Sequence, residues 1–461
     1  MTATKEPALP FTARDRYPVM CYPMPWASPD YPAIASQMGL GSPAPTPGPK
    51  AMYMHIPFCQ YLCGFCPFVK YKQDPERIRQ YLVDLKREID NYGATPYFRD
   101  AAFGSLYMGG GTASILEPEQ LADLVGHARS VFTFAPDAEI TLECSPITVD
   151  EDKLRQVAQA GVNRVSFGVQ TFDDEVGRAS DVAQDGDTSR RVIGWAQAAG
   201  IDHISIDLIY NLPGQTAEHV RSDIDSALAA GVKQVTMFPL SVMPHTKLFR
   251  DVNERKVAGI GELDHELELA RVAAEHLGER GLAQTSVPDF SLPEVTYRHA
   301  QLHFTEFEDL LGLGAGAMGT VNEYTYVNVA ELKRYRELTE QGLPPINAGQ
   351  QTPESERPRA TMAMGLRMLE VKRSTFVARH GVQPEDLFGP LLTELTDRDL
   401  IVVDDDGVRL TPTGTLFGYD VAKAFYSDQI KAVGQKLAES LARKRDVIDL
   451  ELNGSHSGGT A

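Results

Sequence analysis

Three cysteines crowd into eight residues, Cys59-Gln-Tyr-Leu-Cys63-Gly-Phe-Cys66, while Cys21 and Cys144 stand alone. Thiolates are soft ligands that suit zinc or an iron–sulfur cluster. Structural zinc usually takes four protein ligands, often as two separated Cys-x-x-Cys pairs. Here no second pair exists, and His55 is the nearest candidate for a fourth ligand. A four-iron cubane held by three thiolates keeps one iron open to a further ligand. On spacing alone zinc, a cluster and three unrelated buried thiols all stay open. The crowding fits a metal centre in a reducing compartment better than a disulfide framework. Other residue types able to do chemistry stand at intervals downstream: Gly109-Gly110-Gly111-Thr112, Glu143, Gln170 and Asp207. A glycine run lets backbone approach a ligand closely.

Each of these residues ends a short apolar run. The runs are Met52–Ile56, Ser105–Met108, Glu139–Cys144, Arg164–Val169, His203–Ile209 and Gln234–Leu240. Between and after them lie segments with helical periodicity: Glu76–Tyr92, Pro118–Phe132, Glu151–Gln159, Thr188–Ala199, Ala217–Ala229 and Glu262–Glu279. In the first, Ile78, Tyr81, Leu82, Leu85 and Ile89 form one apolar stripe. Gly161, Gly200, Gly231 and Gly281 each follow a helical segment, where a left-handed residue ends a helix. Six strand–helix units in series predict an α/β fold with a parallel sheet, open or barrel-like. Ligands of such sheets bind at the strand C-terminal ends, where the residues above fall. Cys144 alternates with Glu143 and so faces the opposite side, as a small core residue.

Residues 1–50 hold eleven of the thirty prolines, which excludes a long helix or a central strand there. Two readings follow: a disordered leader, or an extended arm whose aromatics Tyr17, Tyr22, Trp26 and Tyr31 pack on the domain behind it; the second predicts that residues 11–35 help to cover the site. After about residue 350 the rhythm changes to helices (Thr361–Glu370, Glu385–Asp399) and a small hairpin (Leu400–Asp404, Val408–Leu410), a winged-helix-like pattern. The tail Asn453–Ala461 is Gly/Ser/His-rich and reads as frayed. The division is therefore 1–50 arm, 51–350 catalytic region, 351–461 C-terminal domain and tail. The chain is 461 residues long, 43% apolar and 23% charged, the balance of a globular protein. No apolar run nears the ~18 residues of a membrane span, and the start lacks a signal pattern, so a cytoplasmic protein is expected. A net charge of -19 without a basic cluster argues against a nucleic-acid partner.

The spacing Cys-x3-Cys-x2-Cys, with Phe65 before the last Cys, resembles the cluster loop of radical S-adenosylmethionine (radical SAM) enzymes. Tyr53-Met-His55-Ile-Pro57-Phe58-Cys59 resembles the branch holding the anaerobic coproporphyrinogen oxidases and their haem-chaperone relatives. The likeness continues through Gly109–Thr112, Glu143, Asn163–Gln170, Asp207–Thr216, Leu311–Ala317 and residues 360–425. It implies a partial (β/α)6 radical SAM barrel with one [4Fe-4S] cluster on Cys59, Cys63 and Cys66, and two S-adenosylmethionine molecules. Tyr53, Gly109, Gly110, Gly111, Thr112, Glu143, Gln170 and Asp207 would serve the first. Phe238, Ser241 and Gln301 would flank the second. It also implies a one-electron donor such as flavodoxin or ferredoxin, and a monomer is expected.

Departures from the pattern bear on the branch. The oxidases usually carry a further Cys where Phe68 stands, and Ala113 replaces a common Pro. An Arg expected near Val182 is missing, which leaves Arg178 as a candidate. The chaperones usually carry a His-Asn-x-x-Tyr-Trp string where His303-Phe-Thr-Glu306-Phe-Glu308 stands. These differences point to a third relative, the class C radical methyltransferases and cyclopropanases of natural-product pathways. That resemblance implies methylene transfer from the second S-adenosylmethionine to an sp2 carbon of a small-molecule substrate, with Tyr210, His303 or Glu306 as the base. An oxidase-like or haem-modifying enzyme, or a haem-binding chaperone, is the alternative.

Overall fold

In the computed structural model the described residues are 11, 13–15, 18–44, 48–243, 246–254, 256–257 and 260–436. Tyr17 and Asn453–Ala461 lie outside them. The six apolar runs become β1 (Lys50–Ile56), β2 (Ala102–Gly110), β3 (Thr133–Cys144), β4 (Arg164–Gln170), β5 (His203–Tyr210) and β6 (Gln234–Pro239). They lie side by side in that order, each neighbouring pair parallel. Parallel neighbours need crossovers. These are α1 (Pro75–Gly93), α2 (Pro118–Val131), α3 (Glu151–Gln159), α4 (Gly186–Ala198) and α5 (Ala217–Ala229), and α6 (Leu263–Glu279) follows β6.

Local chemistry sets these boundaries. The Asp74 carboxylate accepts from the backbone N–H groups of Glu76 and Arg77, with Pro75 in the first turn, so α1 starts there. Its buried face contains the expected stripe of Ile78, Tyr81, Leu82, Leu85 and Ile89. Gly161, Gly200, Gly231 and Gly281 have φ of 100°, 81°, 83° and 88°, the left-handed conformation that ends α3 to α6. One core joins the strand residues Met52, Leu106, Ile140, Phe167, Ile206 and Val235 to the inner faces of these helices. Cys144 is buried in it, on the side away from Glu143.

The barrel is partial, because the twelve-stranded sheet containing these strands is open-ended. Beyond β1 it adds Leu310–Leu313, parallel, then the antiparallel strands Met318–Val321, Tyr324–Asn328 and Ile346–Gln351. Beyond β6 it adds Asp289–Ser291 and Ala283–Gln284, antiparallel. These edge strands lie outside the expected pattern. They are short, and the hairpin turn uses Asn322 and Glu323 at φ of 49° and 61° rather than a glycine pair.

A second core forms the C-terminal unit from helices Arg357–Gly365, Arg373–His380, Pro384–Asp397 and Gly418–Ala424 with a three-stranded sheet of Glu370–Lys372, Gly407–Leu410 and Ile401–Val403. The expected helix Thr361–Glu370 is thus shorter, ending in a 3-10 turn before strand Glu370–Lys372. This core also takes Val19 and Tyr22 from the arm and Ala300 and Phe304 from the barrel region. Among the described residues no helix is long and apolar enough to cross a membrane.

Candidate functional site

The cysteine loop leaves the end of β1 and is tied down by backbone. Phe58–Cys59 pairs with Tyr71–Lys72 as a short parallel ladder. Gln73 N–H donates to the Cys59 carbonyl at 2.9 Å, and Leu248 N–H to that of Gly64 at 2.9 Å. His55 is buried, and burial pushes its pKa down to about 4, so the ring is neutral. Its Nε2 faces the Val69 carbonyl at 3.2 Å and must donate. Its Nδ1, 3.0 Å from the Tyr53 hydroxyl, therefore accepts. One imidazole thus connects the far side of the cysteine loop to a ring beside the strand ends.

All three clustered thiols are free. Cys59 is buried, and Thr112 Oγ1 lies 3.5 Å from its sulfur. Burial, then the adjacent Cys66 and Cys59, push the Cys63 thiol up to about 12. Among the described residues no three His, Cys, Asp or Glu side chains converge closely enough to enclose one metal ion. A cubane binds each thiolate through a separate iron, so it fits spaced thiols better than a single ion does.

The glycine loop after β2 is laid directly against this segment. Gly111 and Thr112 N–H groups donate to the carbonyls of Ile56 and Phe58, both at 2.9 Å. A Cβ on Gly111 would stand 2.8 Å from the Phe58 carbonyl oxygen and 3.0 Å from the Cys59 sulfur. No other residue type permits this approach. Gly110 N–H donates to Glu143 at 3.0 Å, and the Tyr107 hydroxyl donates to the other carboxylate oxygen at 2.7 Å. The Tyr107 and Tyr53 rings stack at 6.1 Å. Burial raises the Glu143 pKa against these donors. Asp207, on β5, is pushed up to about 7 by burial, then by the carboxylates of Glu143 and Asp289, with Arg164 and Thr236 opposing. Gln170 ends β4 at φ of 69°, a strained conformation of the kind found where a side chain is aimed for function. Gly109–Thr112, Glu143 and Gln170 thus fall at the C-terminal ends of β2, β3 and β4, while Tyr53 lies midway along β1 and Asp207 midway along β5. Spaced thiols, a glycine cradle and strand-end carboxylates fit a cluster and its amino-acid-type ligand.

The remaining candidates are dispersed. Phe238 joins an apolar group at the ends of β5 and β6 with Ile209, Leu212, Leu240 and Phe65 of the cysteine loop. The Ser241 hydroxyl lies 3.4 Å from the Pro239 carbonyl. Gln301 instead lines a cavity of about 320 Å³ bounded by Asp289, Tyr297, Phe307 and Val371. Arg178 is exposed on the last turn of the short helix Asp174–Ala179. Tyr210 ends β5 buried, hydrogen-bonded to Arg14 of the arm, which also meets Glu266 at 3.3 Å. His303 is buried in a π-helical turn, and burial lowers its pKa to about 4. Glu306 is exposed and ion-paired with Arg298.

Sequence reasoning missed the polar floor beneath the site. Arg164 is buried, donates to Gln234 at 2.9 Å and lies 4.2 Å from the Tyr297 ring centroid. Glu139 accepts from the N–H groups of Arg298 and His299, and Ser105 pairs with His299 at 2.9 Å. Period-two alternation could have found Ser105, Tyr107 and Gly109 on one side of β2. Tyr297 and His299 reach them only through tertiary folding.

This fold and site define the radical SAM class, and residues 53–227 match the Radical SAM superfamily. Residues 353–417 match the HemN C-terminal domain. The chain is 31% identical over 389 residues to the heme chaperone HemW of Bacillus subtilis, covering 82% of this chain and 100% of that protein. It is 28% identical to the oxygen-independent coproporphyrinogen III oxidase of Cereibacter sphaeroides, covering 87% of each. The solved structure of HemN, the coproporphyrinogen III oxidase of Escherichia coli, superposes with a TM-score of 0.73 at 26% identity, over 84% of this chain and 92% of that one. The chain belongs to the HemN/HemW, coproporphyrinogen oxidase-like family of radical SAM proteins.

These findings overturn the class C methyltransferase and cyclopropanase expectation, together with methylene transfer to an sp2 carbon and a natural-product role. The differences at Phe68, Ala113, Val182 and His303–Glu308 are local changes of a few side chains outside the sheet strands. They weigh less than a likeness that spans barrel and C-terminal domain together. The base role considered for Tyr210, His303 and Glu306 belonged to that reaction and goes with it.

Proposed function

We propose that this chain is an oxygen-independent oxidase of a propionate-bearing tetrapyrrole of the coproporphyrinogen III kind. The observation that carries the reading is the joining of the glycine cradle, Glu143 and Tyr107 beside the cysteine loop, on a scaffold shared with the coproporphyrinogen oxidases. Cys59, Cys63 and Cys66 would hold one four-iron cluster. Gly109–Thr112, Glu143, Gln170 and Asp207 would bind and orient the first S-adenosylmethionine. Bound there, the cluster and S-adenosylmethionine would supply one-electron chemistry able to remove hydrogen from an unactivated position. The protein's part is to fix the target near contact distance and to exclude water. A second S-adenosylmethionine near Phe238 and Ser241 belongs to this proposal, as does a one-electron donor. The C-terminal unit, with helices packed around a three-stranded sheet, supports the winged-helix-like reading of its fold.

A second reading, a haem chaperone, is favoured by the complete coverage of HemW and by Phe68 at the place of the oxidases' further cysteine. Anaerobic turnover with coproporphyrinogen III separates the two. The oxidase releases carbon dioxide together with 5′-deoxyadenosine. A chaperone binds haem stably, seen in its Soret band, and releases none.

A further inference from the structure

The inside of the barrel is unevenly charged. Alternation puts Glu139, Glu143 and Asp207 on the inward face, opposite the helix-packed Ile140, Leu142 and Ile206. Asp289 joins them from the edge strand beside β6, where it pairs with Thr236. Lys50 and Arg164 are the only Lys or Arg residues in β1 to β6. Lys50 shares the helix-packed side of β1 with Met52 and pairs with Glu308 at 2.8 Å. His55 and His203 face inward but are neutral, since burial lowers the pKa of each to about 4. Arg164 is therefore the one permanent cation on the inward face of these six strands.

Its surroundings are unusual for a buried arginine. Arg164 is 2% exposed, and a charge so deep is normally matched by a carboxylate in contact. Among the described residues it makes no ion pair, and its Nε and Nη1 have no hydrogen-bond partner. Its Nη2 donates to Gln234 at 2.9 Å, and the Tyr297 ring covers it at 4.2 Å. The nearby acids are held by other donors. Glu139 accepts from the N–H groups of Arg298 and His299, Glu143 from Tyr107 and Gly110, and Asp289 from Thr236 and Ser286. Asp207 lies on a strand between those of Glu143 and Asp289, so like charge flanks it on both sides.

We propose that Arg164 is a positioning residue for the first S-adenosylmethionine: it stays unpaired so that its charge acts on Asp207, which is thereby kept ionised and able to accept hydrogen bonds from the cofactor. The inference rests on the reading that Asp207 serves that cofactor. A contact ion pair would spend the charge on one acid, whereas a lone cation in a low-dielectric interior acts at range. Burial, then Glu143 and Asp289, push Asp207 up to about 7, and Arg164 and Thr236 oppose them. Tyr107 also faces Asp207 and stays protonated, its own pKa raised well above the ordinary value, by burial first. A unit charge ~10 Å away at an effective dielectric of ~20 moves a carboxylate by about one pKa unit.

The test measures S-adenosylmethionine affinity of the reconstituted holoenzyme by calorimetry between pH 6 and 9. Wild-type affinity should rise with pH through a midpoint near 7, where Asp207 ionises. Asp207→Asn should bind more weakly and lose that step. Arg164→Met should move the midpoint up by about one unit and raise the Kd at pH 7 about fivefold, with little change at pH 9. Arg164→Lys, which keeps the charge, should keep the wild-type midpoint. Gln234→Glu sets a carboxylate beside the guanidinium and cancels its charge without emptying the space. It should shift the midpoint as Arg164→Met does, and it carries the test if the methionine variant does not fold. Tyr297→Leu removes the ring packed on Arg164 but no charge, so its midpoint should stay. A packing role alone would lower affinity equally at every pH. Unmoved midpoints in both charge variants, or an equal shift in Tyr297→Leu, would overturn the proposal. If Asp207→Asn retains the wild-type step, the reading of Asp207 falls and the proposal falls with it.

Discussion

At the scale of single residues, the thiols and strand-end groups make distinct predictions. Cys59→Ala, Cys63→Ala and Cys66→Ala should each abolish the four-iron cluster, whereas Cys21→Ala and Cys144→Ala should leave iron content nearly unchanged, measured by iron assay and EPR. The reason is placement: Cys144 is buried in the barrel core and Cys21 lies in the arm, 3.8 Å from the Met24 sulfur. Asp207→Ala and Gln170→Ala should retain iron and lower 5′-deoxyadenosine formation more than tenfold. A buried ligand group left without its partner typically costs ~1–3 kcal/mol. Unchanged cleavage in the double variant would remove both from the cofactor site. Gly111→Ala should be worse than either, because its Cβ meets backbone rather than a side chain that can turn aside. Loss of cluster incorporation is the expected result, read from iron content.

At the scale of elements, α1 clamps the root of the cysteine loop. The Glu88 carboxylate is buried and accepts from Gly314 N–H at 2.7 Å, Asn328 Nδ2 at 2.9 Å and the Tyr335 hydroxyl at 2.5 Å. Two turns earlier on the same helix, the Tyr81 hydroxyl donates to the His55 carbonyl at 2.5 Å and accepts from Ala315 N–H at 3.0 Å. The glycine turn at Gly312–Ala317 is thereby pressed on the end of β1. A Gly314 Cβ would stand 2.6 Å from the His55 carbonyl oxygen. Burial pushes the Glu88 pKa from 4.5 up to about 7. The folded state then holds this proton more tightly than the unfolded chain. Its contribution to stability is complete below about pH 4.5 and is lost as pH rises through about 7. Glu88→Gln, which cannot ionise, should flatten the fall in Tm between pH 5 and 8, measured by calorimetry. Parallel Tm curves for variant and wild type would show that Glu88 does not titrate there.

At the scale of the whole molecule, the arm joins the two cores. Tyr22 is 2% exposed, packs edge-on against Tyr426 at 4.7 Å and is hydrogen-bonded to Glu356. Trp26 N–H donates to Gln350 at 3.0 Å, and Phe11 contacts Phe417 at 5.3 Å. Arg14 reaches the end of β5 at Tyr210, so the arm passes the mouth of the barrel. Tyr22→Ala should cost ~3 kcal/mol, from a large buried ring removed and a buried carboxylate left without its donor. Denaturant unfolding measures the loss, and a change under 1 kcal/mol would mean that the arm is only draped on the surface. Limited proteolysis of the wild type should spare residues 18–44 under conditions that clip an unpacked leader.

The sequence by itself determined the six strand–helix units, because each is a local matter of apolar period, cap and terminal glycine. It also placed Gly109–Thr112, Glu143 and Gln170 at the strand ends, since a parallel sheet puts every strand end on one side. Tertiary structure alone decided what meets there. Glu143 bonds the glycine loop one strand away, His55 reaches Val69 across the cysteine loop, and Arg164 stacks on Tyr297 from a segment more than a hundred residues later. The edge strands from Asp289 to Gln351 were not legible, because they are short and their pairing is non-local. The branch was misread for a related reason. Single loop residues such as Phe68 vary without altering the scaffold, whereas barrel, arm and C-terminal unit share buried contacts and must be matched as a whole.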